Sequence, residues 1–276
     1  MKDGNEEIAP FEMVASCSSA LKLDLNVQEF AYVAQMHNFS EESIIAVADT
    51  FQYLRDRQRQ TTIRTLLKMS RLPMKDAKTF KNFDFTRIYG QDVDRLKSLP
   101  TLSPIYAHKN IAFIGPPGTG KTHLAQAFGY ECCQQGLKTY FIKMSELRDK
   151  FNVARKAGRE ASVLNGLVRP SCLIIDEVGH CEFDKENTRL FFDLIDRRYN
   201  KEGAFNIVFT SNKNPSEWRS IFNESDALLC TLDRIFDDAI VYTIKGASYR
   251  GRKLEKVALT TTAIPAPTAT DTTGKA

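Results

Sequence analysis

Residues 115–122 read Gly-Pro-Pro-Gly-Thr-Gly-Lys-Thr, which fits the phosphate-loop pattern G-x-x-x-x-G-K-[ST]. The loop constrains the fold because it functions only between a strand and a helix. Ile111-Ala112-Phe113-Ile114 precedes it as a short apolar run, the pattern of a buried strand, and His123-Leu124-Ala125-Gln126-Ala127-Phe128 continues it as a helix. Gly115, Gly118 and Gly120 let the backbone bend where a Cβ would clash. Pro116, Pro117, Thr119 and His123 complete the turn, whose N–H groups point at phosphate oxygens from the positive end of the helix. Lys121 is expected on the β- and γ-phosphates of ATP or ADP, and the Thr122 hydroxyl on Mg²⁺.

An alternating pattern surrounds the loop. Apolar strand candidates fall at 111–115, 138–143, 172–176, 205–210 and 239–244, with helical stretches such as 122–135 and 186–200 between them. Strand alternating with helix predicts an α/β fold with a five-stranded parallel sheet. Upstream, Asn26 with Glu29 forms a capping-box pattern for a helix through His37. Ser40 caps a second, with Ile44, Val47, Ala48, Phe51 and Leu54 at helical spacing, and Pro73 stops the run. The boundaries expected are a flexible N-terminus over 1–21, a small all-helical domain over 22–72, a linker over 73–90, the ATPase domain over 91–257 and a disordered Thr/Ala/Pro-rich tail over 258–276.

Charge is arranged in blocks. Residues 1–50 carry 2 basic and 9 acidic side chains, and residues 51–100 carry 12 basic and 5 acidic. The basic block suggests a surface for an anionic partner. No apolar run reaches membrane-spanning length, and the N-terminus lacks a signal peptide's apolar core, so a cytoplasmic protein without membrane contact is expected. The six cysteines form no C-x-x-C pair, and Cys172 sits in an apolar run as a small core residue.

Leu173-Ile174-Ile175-Asp176-Glu177 places two carboxylates at a strand end, 55 residues beyond Lys121. Asp176 is expected in the Mg²⁺ shell. Glu177, beside the metal, is the candidate base for the attacking water. Asn212 follows the next strand on the ligand edge of such a sheet, within reach of the γ-phosphate or the water. Arg234 and Arg250 read, on sequence alone, as ordinary surface arginines.

From about Phe83 to Arg252 the chain resembles the IstB-like family, AAA+ ATP-binding helpers encoded beside insertion-sequence transposases. The segments that carry the resemblance are 115–125, Leu-Ile-Ile-Asp-Glu-Val-Gly (173–179), Asp-Arg-Arg-Tyr (196–199), Thr-Ser-Asn (210–212), Ser-Glu-Trp (216–218), Leu-Asp-Arg-Ile (232–235) and Gly-Ala-Ser-Tyr-Arg (246–250). DnaC-type helicase loaders and DnaA share the general motifs. The resemblance implies a homo-oligomer with ATP between subunits, acting on duplex DNA with a cognate transposase. It implies that Arg234 is the trans-acting arginine, with Arg197 and Arg198 as lesser candidates, and that Arg250 lies near a second nucleotide sensor. Only 26 residues follow Arg250, too few for the helical lid of many AAA+ proteins. The resemblance also implies an extra helix along a DNA path, matched by residues 145–166 with Arg148, Lys150, Arg155, Lys156 and Arg159. Arg64, Lys68 and Arg71 are the matching candidates upstream. Phosphate contacts of this kind read no sequence.

Three other readings use the same loop. A DnaC-like helicase loader would prefer single-stranded DNA. A small-molecule phosphotransferase would need an acceptor pocket and an arginine-bearing lid. A non-hydrolysing binding protein would not need Glu177.

Overall fold

The computed structural model describes residues 9–90, 92–222, 234–246 and 248. The described residues open with three helices, α1 (Pro10–Leu21), α2 (Val27–Met36) and α3 (Glu41–Met69). The reciprocal cap forms as the sequence predicts. The Glu29 amide donates to Asn26 Oδ1 at 2.9 Å, and the Asn26 amide donates to Glu29 Oε2 at 3.0 Å. Ser40 caps α3. Helix α1 replaces the expected flexible N-terminus over residues 10–21, while residues 1–8 lie outside the described residues. Pro10 occupies its first turn, and Val14 and Cys17 are fully buried, in a bundle whose core includes Phe30 and Ala48. Its twelve residues hold few core positions, so their periodicity is faint in the sequence.

Short helices α4 (Val93–Lys97) and α5 (Ser103–Tyr106) lead into the sheet. Then follow β1 (Ile111–Ile114), α6 (Lys121–Gln134), β2 (Thr139–Lys143), α7 (Met144–Lys156), α8 (Glu160–Val168), β3 (Cys172–Val178), α9 (Lys185–Tyr199), β4 (Asn206–Ser211) and β5 (Ile240–Thr243). All four strand pairings are parallel and the order is β2-β3-β4-β1-β5. The five strands match the sequence prediction to within two residues at each end. Period-two alternation splits β1 to β4 between two cores. Leu173, Ile175, Ile207 and Phe209 join one core with Leu147, Phe151 and Leu194. Ile174, Val208, Ile111 and Phe113 join the other with Leu124 and Phe128 of α6. Both faces of β1, β3 and β4 are covered, which is why those strands read as continuous apolar runs.

Two further expectations change. Residues 145–166 are two helices rather than one, broken at Gly158 with φ +61°. Residues 73–90, read as a linker, pack on α6 through Phe83. Phe83 is buried in the α6 core, with its ring edge-on to Phe85 at 4.9 Å and to His123 at 5.1 Å. The expected tail, 258–276, lies outside the described residues. No helix among the described residues is long and apolar enough to cross a membrane.

Candidate functional site

The glycine-rich loop leaves the C-terminal end of β1 and is wedged between its neighbours. The Gly115 amide donates to Ser211 O at 3.2 Å, and a Cβ on Gly115 would lie 2.1 Å from Ile244 O. Gly120 stands at φ +93° as the cap of α6, so α6 begins at Lys121 with its amides facing the loop. Lys121 is 7% exposed, and its ammonium donates to Pro116 O at 2.7 Å. Thr119 donates to the same carbonyl at 2.9 Å.

Beside the loop, Asp176 is buried at the end of β3. Its Oδ1 accepts from Thr122 Oγ1 at 2.9 Å and from Thr210 Oγ1 at 2.5 Å. Burial pushes the Asp176 carboxyl above its usual range, and the two hydroxyl bonds offset part of that shift. A hydroxyl and a carboxylate are the hard oxygen donors that Mg²⁺ takes, and a cation there would relieve the buried negative charge. The donor set therefore fits the ion.

Glu177 has an unusual backbone. The β3–β4 register shifts between Ile175 and Val178, and Glu177 adopts φ +61° within that bulge. A non-glycine residue there carries about 1–2 kcal/mol of strain. The Glu177 amide donates to Thr210 Oγ1 at 3.0 Å, which fixes the bulge. Thr210 thus accepts from Glu177 and donates to Asp176, tying both carboxylate positions to β4. The Glu177 side chain turns into the hollow above the loop, and its Oε2 lies 3.1 Å from Lys143 Nζ at the end of β2. The ion pair raises the Lys143 ammonium pKa, chiefly through the hydrogen bond.

This hollow of about 590 Å³ brings together Pro117, Gly118, Gly120, Lys121, Thr122, His123, Glu177 and Asn212. Its far wall is Lys78, Asn82, Phe83 and Asp84, from the segment the sequence marked as a linker. His123, expected on the nucleotide, also holds that wall. Its Nε2 lies 2.9 Å from Thr79 O and 3.0 Å from Asn82 Oδ1. The carbonyl can only accept, so we assign the proton to Nε2. Burial lowers the His123 pKa despite the Thr79 bond.

Arg234 is not in this hollow. Its neighbour Ile235 is tied through Asn110, whose Nδ2 donates to Ile235 O at 2.9 Å, and Asp238 pairs with Lys109 at 2.8 Å. Both anchors precede β1, so Arg234 lies at the opposite edge of the sheet. At roughly 3.3 Å per residue, β1 alone puts about 13 Å between the edges. Arg234 pairs with Asp196 and stands 6.0 Å over the Tyr199 ring. Arg198 drops out as a trans-acting candidate. It is 1% exposed and donates to the carbonyls of Leu167, Val168, Pro170, Ser171 and Asn206. Burial lowers its pKa to about 10. Arg197 makes a two-pronged pair with Asp193 at 2.7 and 2.9 Å. Arg250 lies outside the described residues.

The eight DNA candidates separate. Arg71 pairs with Glu146 at 3.0 Å, Arg148 pairs with Asp149 at 2.9 Å, and Arg155 donates to Asp184 and Asn187, so these three are engaged within the fold. Arg64, Lys68, Lys156 and Arg159 are exposed, and Lys150 is half-buried. Lys143, Thr210 and the 78–84 wall are site residues that the sequence reading did not assign. A hydroxyl closing the apolar run of β4 was the one available signal for Thr210.

A model of the IstB-like ATP-binding protein family matches residues 19–257. The protein named as the ATP-binding protein of insertion sequence IS5376 from Geobacillus stearothermophilus is 41% identical over 192 residues, 70% of this chain and 74% of that one. Its IS21 counterpart from Pseudomonas aeruginosa is 31% identical over 242 residues, 88% of this chain and 83% of that one. Among solved structures, AMPPCP-bound DnaA from Aquifex aeolicus superposes with a TM-score of 0.51 at 24% identity, covering 64% of this chain and 52%, about half, of its own. DnaI superposes with a TM-score of 0.51 at 18% identity, covering 62% of this chain and 90% of its own. These likenesses establish the AAA+-type fold.

Proposed function

We propose, from the premise that this chain belongs to the IstB-like ATP-binding family, that it is an ATPase that assembles on duplex DNA and assists a transposase. The observation that carries hydrolysis, beyond nucleotide binding, is the linkage of Glu177, Thr210, Asp176 and Thr122. Lys121 and the loop amides hold the β- and γ-phosphates. Thr122 and Asp176 hold Mg²⁺, which neutralises charge on those phosphates when bound. Glu177 orients a water and takes its proton at a carboxylate oxygen as the water oxygen bonds to the γ-phosphorus and ADP leaves. Asn212 binds the γ-phosphate from the rim.

Arg234 completes the site of a neighbouring subunit, because it cannot reach across the sheet to its own. The relatives are named as ATP-binding proteins of insertion sequences, and the partner this reading assigns is a transposase. Backbone contacts by Lys and Arg supply sequence-tolerant DNA binding that weakens steeply with salt.

The test is phosphate release with and without duplex DNA. Turnover should need Mg²⁺ and rise with duplex, and Glu177→Gln should trap ATP-bound oligomers. Unchanged turnover in Glu177→Gln would remove the assigned base. A preference for single-stranded over duplex DNA would replace the transposition reading with a helicase loader.

A further inference from the structure

Helix α3 is held at its two ends and bare between them. Ile44, Val47, Ala48 and Phe51 pack in the N-terminal bundle. Ile63, Leu66 and Leu67 pack on Tyr130 and Cys133 of α6. Between these anchors, residues 57–62 are exposed at six consecutive positions. That exceeds one turn of 3.6 residues, so no face of the helix is covered there.

A helix polar all round needs a reason to persist. Ion pairs along its own surface do not supply one. Asp56 is the single carboxylate between the anchors Phe51 and Ile63, and Arg55 already takes it at 3.0 Å. Among the described residues no carboxylate pairs with Arg57, Arg59, Arg64 or Lys68. Four uncompensated cations therefore lie along roughly 17 Å of rod, at 1.5 Å per residue. Tyr53, Arg57, Gln60, Thr61 and Arg64 recur on one helix face and, with Asp56, line a hollow of about 400 Å³. Lys68 extends that face by one more turn. The Thr61 hydroxyl folds back on Arg57 O at 2.9 Å, leaving the longer donors to project.

We propose that this bare span of α3 is a binding rod for the sugar-phosphate backbone of duplex DNA, with Arg57, Arg64 and Lys68 on phosphates and Gln60 as a neutral donor. The chemistry selects the ligand. Guanidinium forks match phosphate oxygens in pairs. Residues 57–62 contain no apolar side chain to anchor an acidic protein segment. Single-strand grooves depend on aromatic stacking platforms, and this face offers only Tyr53. A straight helix suits a duplex groove about 12 Å wide. The inference rests on the duplex reading above and adds Arg57 and Gln60 to the α3 candidates Arg64 and Lys68, whereas Arg155 of the α7–α8 insert is engaged within the fold.

The test titrates a fluorescein-labelled duplex oligonucleotide with full-length protein across a salt series. Arg57→Ala/Arg64→Ala should bind on the order of tenfold more weakly per lost contact, and its slope of log K against log salt should fall by about 2. Lys156→Ala/Arg159→Ala should keep the wild-type slope, and Arg57→Lys/Arg64→Lys should recover most of it. Helicity by circular dichroism and basal ATP turnover should not change in any of these. Unchanged affinity and slope in the double alanine variant, with wild-type protein binding duplex, would overturn the α3 site and leave the duplex reading intact. Wild-type protein that fails to bind duplex would overturn both. Polyglutamate binding as tight as duplex would reassign the rod to acidic protein segments.

Discussion

Replacing Thr210 by valine tests whether β4 positions the base. The substitution keeps the shape and removes a hydroxyl that accepts from the Glu177 amide at 3.0 Å and donates to Asp176. Glu177 holds φ +61° at about 1–2 kcal/mol of strain. The bond to Thr210 contributes about 1 kcal/mol against that strain. The strain is the same in both proteins, so without the bond the productive backbone loses about 1 kcal/mol relative to a relaxed one, and at about 1.36 kcal/mol per decade turnover should fall roughly fivefold. The assay is phosphate release at saturating ATP, with nucleotide affinity followed by a fluorescent ATP analogue. Affinity should stay within about threefold, because Lys121 and the loop amides are untouched. Thr210→Ser keeps the hydroxyl and should retain most activity. Wild-type turnover in Thr210→Val, or an equal loss in Thr210→Ser, would refute the positioning argument.

Other outcomes follow from the same geometry. Arg198→Met should cost about 3–5 kcal/mol, read by urea denaturation, because five carbonyls, three of them in buried hydrogen bonds, lose the guanidinium donor. Lys143→Met should cost less than about 1 kcal/mol, since the pair with Glu177 is partly exposed, yet raise basal ATP turnover by freeing the base. Burial, then Arg198, lowers the Lys201 pKa from 10.5 to about 8. The folded chain therefore releases that proton before the unfolded chain does. Stability should rise between those two pH values, and Lys201→Gln should lose that rise in denaturation curves.

Much of the nucleotide site was legible because it is written in contiguous segments. The loop at 115–122 and the strand ending in Asp176-Glu177 each carry their structural context in neighbouring residues. What was not legible depends on strand order and long-range packing. Lys143 meets Glu177 only because β2 lies beside β3, and Thr210 reaches both carboxylate positions only because β4 lies between β3 and β1. The 73–90 segment carries no helix or strand period, so nothing local showed that Phe83 and Asn82 dock on His123. Arg198 looked like any arginine in a charged tetrapeptide. Its side chain is buried because α9 lies over the carbonyls of 167–171, a contact no local pattern encodes.

The central claim, an ATP site shared between subunits, is tested most directly by mixing two inactive variants. Arg234→Ala lacks the donated arginine and Glu177→Gln lacks the base. In mixed assemblies some interfaces pair an intact Glu177 with an intact Arg234, roughly a quarter of them if subunits mix at random. Phosphate release in the mixture should therefore reach roughly a quarter of the wild-type rate, with each variant near zero alone. No recovery in mixtures that co-assemble, or full turnover by Arg234→Ala alone, would contradict the account.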